Sequence, residues 1–140
     1  MEIKVQYSES FYDSERLQEW AKRYLDKLPK DVHALVSTGS SGTAIASAML
    51  TLSRRKLTHI YIRKSGEDAH DIRHGGSWVK HIPKFCFVDD FISDGCTIGR
   101  VYYKCEELGY PLSYALVGHK DNRPLEVEMP PVEIIYVAPQ

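Results

Sequence analysis

Four consecutive apolar residues, Phe85-Cys86-Phe87-Val88, run straight into two carboxylates, Asp89-Asp90. A strand with one wet face alternates apolar and polar side chains; a run without alternation needs cover on both faces. Such a strand belongs to a layered α/β domain, with helices on either side of a mainly parallel sheet. The rest of the chain supplies the pieces. Ala34-Leu35-Val36, His59-Ile60-Tyr61-Ile62, Tyr114-Ala115-Leu116-Val117 and Ile134-Ile135-Tyr136-Val137 read as further strands. Between them, apolar residues recur every three or four positions, the spacing of one helix face. Leu17, Trp20, Ala21, Tyr24, Leu25 and Leu28 form one such stripe, capped by Asp13 or Ser14 and stopped by Pro29. Ala44, Ile45, Ala48, Met49 and Leu52 form the second; Ile98, Val101, Tyr102, Cys105 and Leu108, ended by Gly109, form the third. The fold class is three-layer α/β/α, Rossmann-like, with a mainly parallel central sheet. No helical pattern precedes the last strand, so Gly118 to Val132 has no assigned element.

With 140 residues and no linker, repeat or low-complexity stretch, the chain reads as one domain, 1–140. Ile3, Val5 and Tyr7 suggest a short edge strand, and their alternation with polar residues is unlike a secretory signal. Lys and Arg number 18 against 19 Asp and Glu, which argues against a nucleic-acid binder that relies on a basic field. No apolar run approaches the ~20 residues that span a bilayer. The cysteines, Cys86, Cys96 and Cys105, have neither disulfide-scaffold nor zinc spacing, and point to a reduced, cytoplasmic home. The six histidines lack zinc-site spacing. Residues 65–82 are polar and contain Gly75-Gly76; they read as a long mobile loop, with a short returning strand at Trp78 and Val79. Loops of that length inside a domain are more often functional than idle.

Ligands of open parallel sheets bind at the C-terminal ends of strands. Two loops here leave strand ends and open helices. The first, Thr38-Gly39-Ser40-Ser41-Gly42-Thr43, lets backbone N–H groups approach an anion at a helix N-terminus. A tight strand-to-helix turn with a hydroxyl cap accounts for it equally well. It lacks the Gly-Lys-Ser/Thr of a P-loop. The second, Asp89-Asp90-Phe91-Ile92-Ser93-Asp94-Gly95-Cys96-Thr97, is more specific. Adjacent carboxylates repel each other, and placing them at the end of a buried strand is costly without a ligand or metal.

Phe85 to Thr97 resembles the thirteen-residue signature of type I phosphoribosyltransferases, which bind phosphoribosyl pyrophosphate. Its pattern is an apolar run, an acid pair, two apolar residues, then a small hydroxyl-and-glycine loop ending in Thr or Ser. Three supporting features follow in the family's order, so that the resemblance covers roughly Asp31 to Gly118. The Thr38–Gly42 turn is similar to the pyrophosphate loop, with Thr38, Gly39, Ser40, Ser41 and Gly42 as its residues. Arg63-Lys64 matches the basic pair before the flexible loop, and residues 65–82 match that loop. The resemblance implies a minimal hood and Mg²⁺-dependent transfer of phosphoribose to a nitrogenous base, with release of pyrophosphate. Asp89 and Asp90 would contact the ribose hydroxyls, stabilise positive charge at the anomeric carbon, and be the possible metal contacts. Ser93, Asp94, Gly95, Cys96 and Thr97 would cradle the 5′-phosphate. Arg63 and Lys64, with Arg73 of the mobile loop as a lesser candidate, would meet the pyrophosphate. Lys120 is similarly placed to a lysine of the 6-oxopurine enzymes that contacts the base, which slightly favours a purine; a solvated turn explains it equally, and orotate and adenine stay open. A homodimer and no nucleic-acid or membrane partner complete the expectation.

Asp94 departs from the family pattern, which has Thr, Ser or a small residue there. A carboxylate beside a phosphate is repulsive. Three accounts compete: the side chain turns away and caps the helix through the Ser93 or Thr97 N–H; the ligand lacks a 5′-phosphate at that spot; or the site has drifted, leaving a weak enzyme or a non-catalytic regulator that binds phosphoribosyl pyrophosphate or a nucleotide. The first is preferred, because Asp is a good N-cap. Cys96 sits where a helix N-terminus could lower a thiol's pKa, but with no base in view it reads as a turn residue. Arg54, Arg55 and Lys56 read as complements to a helix C-terminus.

Overall fold

The computed structural model describes residues 13–63 and 84–138. The elements run α1 (Ser14–Lys27), β1 (Val32–Ser37), α2 (Gly39–Leu52), β2 (Thr58–Tyr61), β3 (Lys84–Ile92), α3 (Cys96–Leu108), β4 (Leu112–Lys120) and β5 (Glu133–Tyr136). The five strands form one sheet in the order β2-β1-β3-β4-β5, and every neighbouring pair is parallel. β3 is central, with Cys86 opposite Leu35 on one side and Tyr114 on the other. The edge strand near Ile3, the loop 65–82, the strand at Trp78, Lys64 and Arg73 lie outside the described residues.

Both faces of β3 are covered, as its unbroken apolar run requires. Leu35, Cys86, Val88 and Leu116 pack with Tyr24 of α1 and Ile45 of α2. Val36, Phe87 and Val117 pack on the other face with Ile98, Val101 and Cys105 of α3. The helix ends follow local chemistry. Asp13 accepts the N–H groups of Glu15 and Arg16 at 3.0 and 3.1 Å and so caps α1. Gly109, at φ +81°, closes α3 in the left-handed conformation that glycine adopts without strain.

Two boundaries differ from the sequence expectation. β3 continues to Ile92, so the acid pair lies inside the strand rather than in a loop after it. Pairing with β4 sustains it: Asp89 lies opposite Val117 and Phe91 opposite His119, whereas pairing with β1 ends at Phe87. α2 begins at Gly39, so most of the expected first loop is helix. Gly39 has φ +74°, which lets the chain turn from strand to helix within one residue.

The β4–β5 connection, between Asp121 and Val132, contains no helix. It crosses above the sheet as a strap over the start of α3. The Asp121 N–H bonds the Ile92 carbonyl at 3.0 Å, and the Glu126 N–H bonds the Asp94 carbonyl at 2.9 Å. Met129 packs on the α3-side core. The strap replaces the helix of an ordinary parallel crossover, which is why no helical period was readable there. Among the described residues, no helix is long and apolar enough to cross a membrane.

Candidate active site

In a sheet ordered 2-1-3-4-5, the connections leave on opposite faces at the boundary between β1 and β3, and ligands bind at that switch point. β1 ends there at Ser37, and α2 starts immediately after it. Gly42, in the first turns of α2, lies against β3: a Cβ on it would sit 2.6 Å from the Val88 carbonyl oxygen and 3.2 Å from Asp89 Oδ1. The first small-residue segment and the acid pair are therefore neighbours, although 46 residues separate Gly42 from Val88.

The backbone of the acid pair is held from three directions. Gly42 approaches the Val88 carbonyl, the buried Tyr24 hydroxyl donates to the Asp89 carbonyl at 2.8 Å, and Gly118 abuts the Asp90 carbonyl, 2.4 Å from where its Cβ would be. Each carboxylate also accepts the next residue's amide. The Asp90 N–H reaches Asp89 Oδ1 and the Phe91 N–H reaches Asp90 Oδ1, both at 2.9 Å. Asp90 is buried and Asp89 half-buried. A pocket of about 130 Å³ is lined by both acids together with Phe91, Ser93, Asp94 and Thr97. That is smaller than the ~300–1,000 Å³ of a site that encloses a drug-sized ligand, so these residues have room for only a fragment of one.

At the start of α3, Gly95 is the N-cap residue at φ +86°, a left-handed conformation. Asp94 Oδ1 accepts the Cys96 N–H at 2.9 Å, and Oδ2 lies 3.9 Å from Arg123 Nη1. The capping expectation is corrected: Gly95, not Asp94, is the N-cap residue, and the N–H that Asp94 accepts belongs to Cys96, not to Ser93 or Thr97. The carboxylate therefore turns onto the helix N-terminus rather than away from it. The Cys96 N–H, with Arg123 nearby, holds the Asp94 carboxyl below the usual range. The Cys96 thiol pKa is raised, not lowered. Partial desolvation, the Asp94 hydrogen bond and the Asp94 and Glu126 charges push it up. Asp94, Cys96 and Glu126 bring one ligand atom each within 4.8 Å of one another, at a largely exposed surface.

The remaining expected residues are more dispersed. The Thr38 hydroxyl does not cap α2; it donates to the Ile62 carbonyl at 2.7 Å and ties β1 to the end of β2. Gly39, Ser40 and Ser41 make the first turn of α2, with Ser40 exposed. Arg63 follows β2 with an exposed side chain, and its carbonyl lies 3.5 Å from Arg100 Nη1 of α3. Lys120 ends β4, where its ammonium holds the Asp121 and Arg123 carbonyls and thus the strap.

Three features escaped the sequence reading. Tyr24 sits in an apolar helical stripe and looks like core. Gly118 carries no motif. Ser37 bonds both Thr43 Oγ1 at 2.9 Å and His59 Nε2 at 2.6 Å beneath the start of α2, a network whose members are 6 and 22 residues apart. The available signal was a polar residue, Ser37, ending an apolar strand.

No family model matches the chain, and no curated protein matches it in sequence. Solved structures do match in shape. Orotate phosphoribosyltransferase from Aeropyrum pernix superposes with a TM-score of 0.67 at 16% identity, covering 96% of this chain and 77% of that one. The Mycobacterium tuberculosis H37Rv orotate enzyme, in complex with 5-phospho-α-D-ribosyl 1-diphosphate, gives 0.66 at 11% identity, over 83% of this chain and 67% of that one. Adenine phosphoribosyltransferase from Saccharomyces cerevisiae, complexed with a bisphosphate and adenine, gives 0.62 at 13% identity, over 94% and 84%. The parallel five-stranded sheet and its flanking helices are the α/β fold of the phosphoribosyltransferases.

Proposed function

We propose that the chain is a phosphoribosyltransferase, transferring phosphoribose from phosphoribosyl pyrophosphate to a nitrogenous base with release of pyrophosphate. The observation that carries this is the acid pair at the switch point. Asp89 and Asp90 share one pocket with Ser93, Asp94 and Thr97, and Gly42, in the first turns of α2, lies against Val88 and Asp89. Carboxylates there accept hydrogen bonds from ribose hydroxyls and favour positive charge developing at the anomeric carbon. Their backbone is clasped by Gly42, Tyr24 and Gly118, so the charges are fixed before substrate arrives. The first turn of α2 would face the pyrophosphate with its N–H groups, and Arg63 would add positive charge. Asp89 and Asp90 present hard oxygen donors, which suit Mg²⁺; the ion would neutralise charge on the leaving pyrophosphate.

The acceptor base is left open in this proposal. The purine preference rested on Lys120, whose ammonium is engaged with two backbone carbonyls. One observation favours a second reading, a regulator that binds nucleotide without turnover: the Asp94 carboxylate on the Cys96 N–H. The experiment is pyrophosphate release from phosphoribosyl pyrophosphate with Mg²⁺ and a panel including adenine, 6-oxopurines and orotate. Release with one base, abolished in Asp89→Asn/Asp90→Asn while the melting curve is kept, supports the enzyme. No release with any base, together with nucleotide binding, selects the regulator.

A further inference from the structure

We infer that Asp94 is a resident anion that competes with the sugar's 5′-phosphate for the N-terminus of α3, and that Arg123 is the charge that receives its carboxylate when the phosphate binds. The inference rests on the phosphoribosyl reading above and specifies how that site discriminates.

The position of Asp94 supplies the first part. Its Oδ1 holds the Cys96 N–H at 2.9 Å, the amide that opens a thirteen-residue helix. An anion bound to that amide would meet the carboxylate at contact distance, where like charges repel strongly. Glu126 adds a second carboxylate within 4.8 Å. A phosphate can therefore take the amide only when the Asp94 side chain leaves it.

The surroundings determine how it leaves. The turn itself is braced by the strap. Leu125 Cδ2, Val127 Cγ2 and Met129 Sδ each lie 3.3 Å from the place of a Cβ on Gly95, and the Asp94 carbonyl is tied to the Glu126 N–H at 2.9 Å. The movement is thus a rotation of the Asp94 side chain. Arg123 is suited to follow it. Its guanidinium is already 3.9 Å from Oδ2 and its side chain is 65% exposed, free to adjust. Its backbone is fixed, with its N–H on Asp121 Oδ1 at 2.9 Å and its carbonyl on the Lys120 ammonium. The strap thus presents an anchored but adjustable cation beside the carboxylate to be displaced.

The test is calorimetric titration of ribose 5-phosphate, without Mg²⁺, into wild type, Asp94→Asn, Asp94→Thr, Arg123→Gln and Asp94→Asn/Arg123→Gln. Asn keeps an oxygen for the Cys96 N–H, so the fold is retained, and melting curves check it. Both Asp94 variants should bind about tenfold more tightly than wild type, as expected for loss of one partly screened like charge. Arg123→Gln should weaken wild type several-fold and leave the Asp94→Asn background nearly unchanged, the signature of coupled residues. Unchanged or weaker binding in both Asp94 variants overturns the competition. Equal losses from Arg123→Gln in both backgrounds overturn its role as receiver. If no variant binds ribose 5-phosphate, the phosphoribosyl reading itself falls, and this inference with it.

Discussion

The Tyr24 hydroxyl of α1 donates a 2.8 Å hydrogen bond to the carbonyl of Asp89, a residue 65 positions away inside the central strand. Tyr24 is fully buried, and burial, together with the Asp90 and Asp89 charges, raises its pKa so far that the phenol stays protonated and always donates. The first helix thereby reaches through the core and fixes the backbone of the acid pair. In Tyr24→Phe the ring is kept, but a part-buried hydrogen bond is lost, which costs about 0.5–1.5 kcal/mol. Urea unfolding should show that loss. In the enzyme reading, pyrophosphate release should lose kcat more than KM, because the group that fixes the charges is removed and the sugar contacts remain. A variant as stable as wild type would show that the bond contributes nothing.

Gly42 and Gly118 are predicted to resist a side chain for lack of space, and Gly109 only through its backbone conformation. A methyl on Gly42 or Gly118 would sit 2.6 or 2.4 Å from a β3 carbonyl oxygen, so backbone must move to admit it. Gly42→Ala and Gly118→Ala should each destabilise by about 1–3 kcal/mol, the cost of overpacking. They should also depress ligand binding, since what moves is the acid pair. Gly109→Ala meets nothing within 4 Å but must hold φ +81°. It should lose about 1–2 kcal/mol of stability through left-handed strain, with binding unchanged. Equal binding losses in all three would refute a special role for the two close approaches.

The contrast between those glycines marks what the sequence made legible. The layered fold was readable because an apolar run such as Phe85–Val88 has few ways to be satisfied. The acid pair and the turn after it were readable because their order is local. Contacts between distant segments were not. Nothing in a helical stripe separates Tyr24, whose hydroxyl reaches Asp89, from an ordinary core residue, and Gly118 shows its close approach only once β3 and β4 are in register. The strap was unreadable for another reason: its order comes from single bonds to Ile92 and Asp94 and from Leu125, Val127 and Met129 around Gly95, not from a repeating pattern. Asp94 stood out as a misplaced charge, but its partner on the amide could not be named from spacing.

Thiol chemistry offers a check on the start of α3. Cys86 and Cys105 are buried, and burial pushes the Cys105 thiol up to about 12 and Cys86 higher still. Cys96 is exposed, yet partial desolvation and the neighbouring Asp94 and Glu126 also raise it. The thiolate is the reactive form. A disulfide reagent at pH 7 should therefore modify one thiol per native chain, more slowly than a free cysteine, and all three after denaturation. Asp94→Asn keeps an acceptor oxygen but removes the charge, and should speed the Cys96 reaction. An unchanged rate would show that the carboxylate does not control this thiol.

The Ser37–His59 pair predicts a pH dependence of stability. His59 Nε2 lies 2.6 Å from the Ser37 hydroxyl, and burial lowers the His59 pKa below 6.5. The Ser37 hydroxyl bridges the neutral ring and the Thr43 hydroxyl, which ties the first turns of α2 to the ends of β1 and β2. Between the lowered folded pKa and 6.5, the unfolded chain binds more protons than the folded one, so stability rises with pH. The contribution is complete above 6.5 and is lost as pH falls through that window towards the folded pKa. The lowered carboxyls of Asp31, Asp94 and Asp121 act in the same direction but at lower pH, from the 3.8 of an ordinary Asp downwards. Urea midpoints measured from pH 8 to 5 should therefore fall for wild type below about 6.5. His59→Asn should start lower, because its fit under α2 is poorer, but should be flatter across that range. A slope as steep in His59→Asn as in wild type would assign the titration to another group.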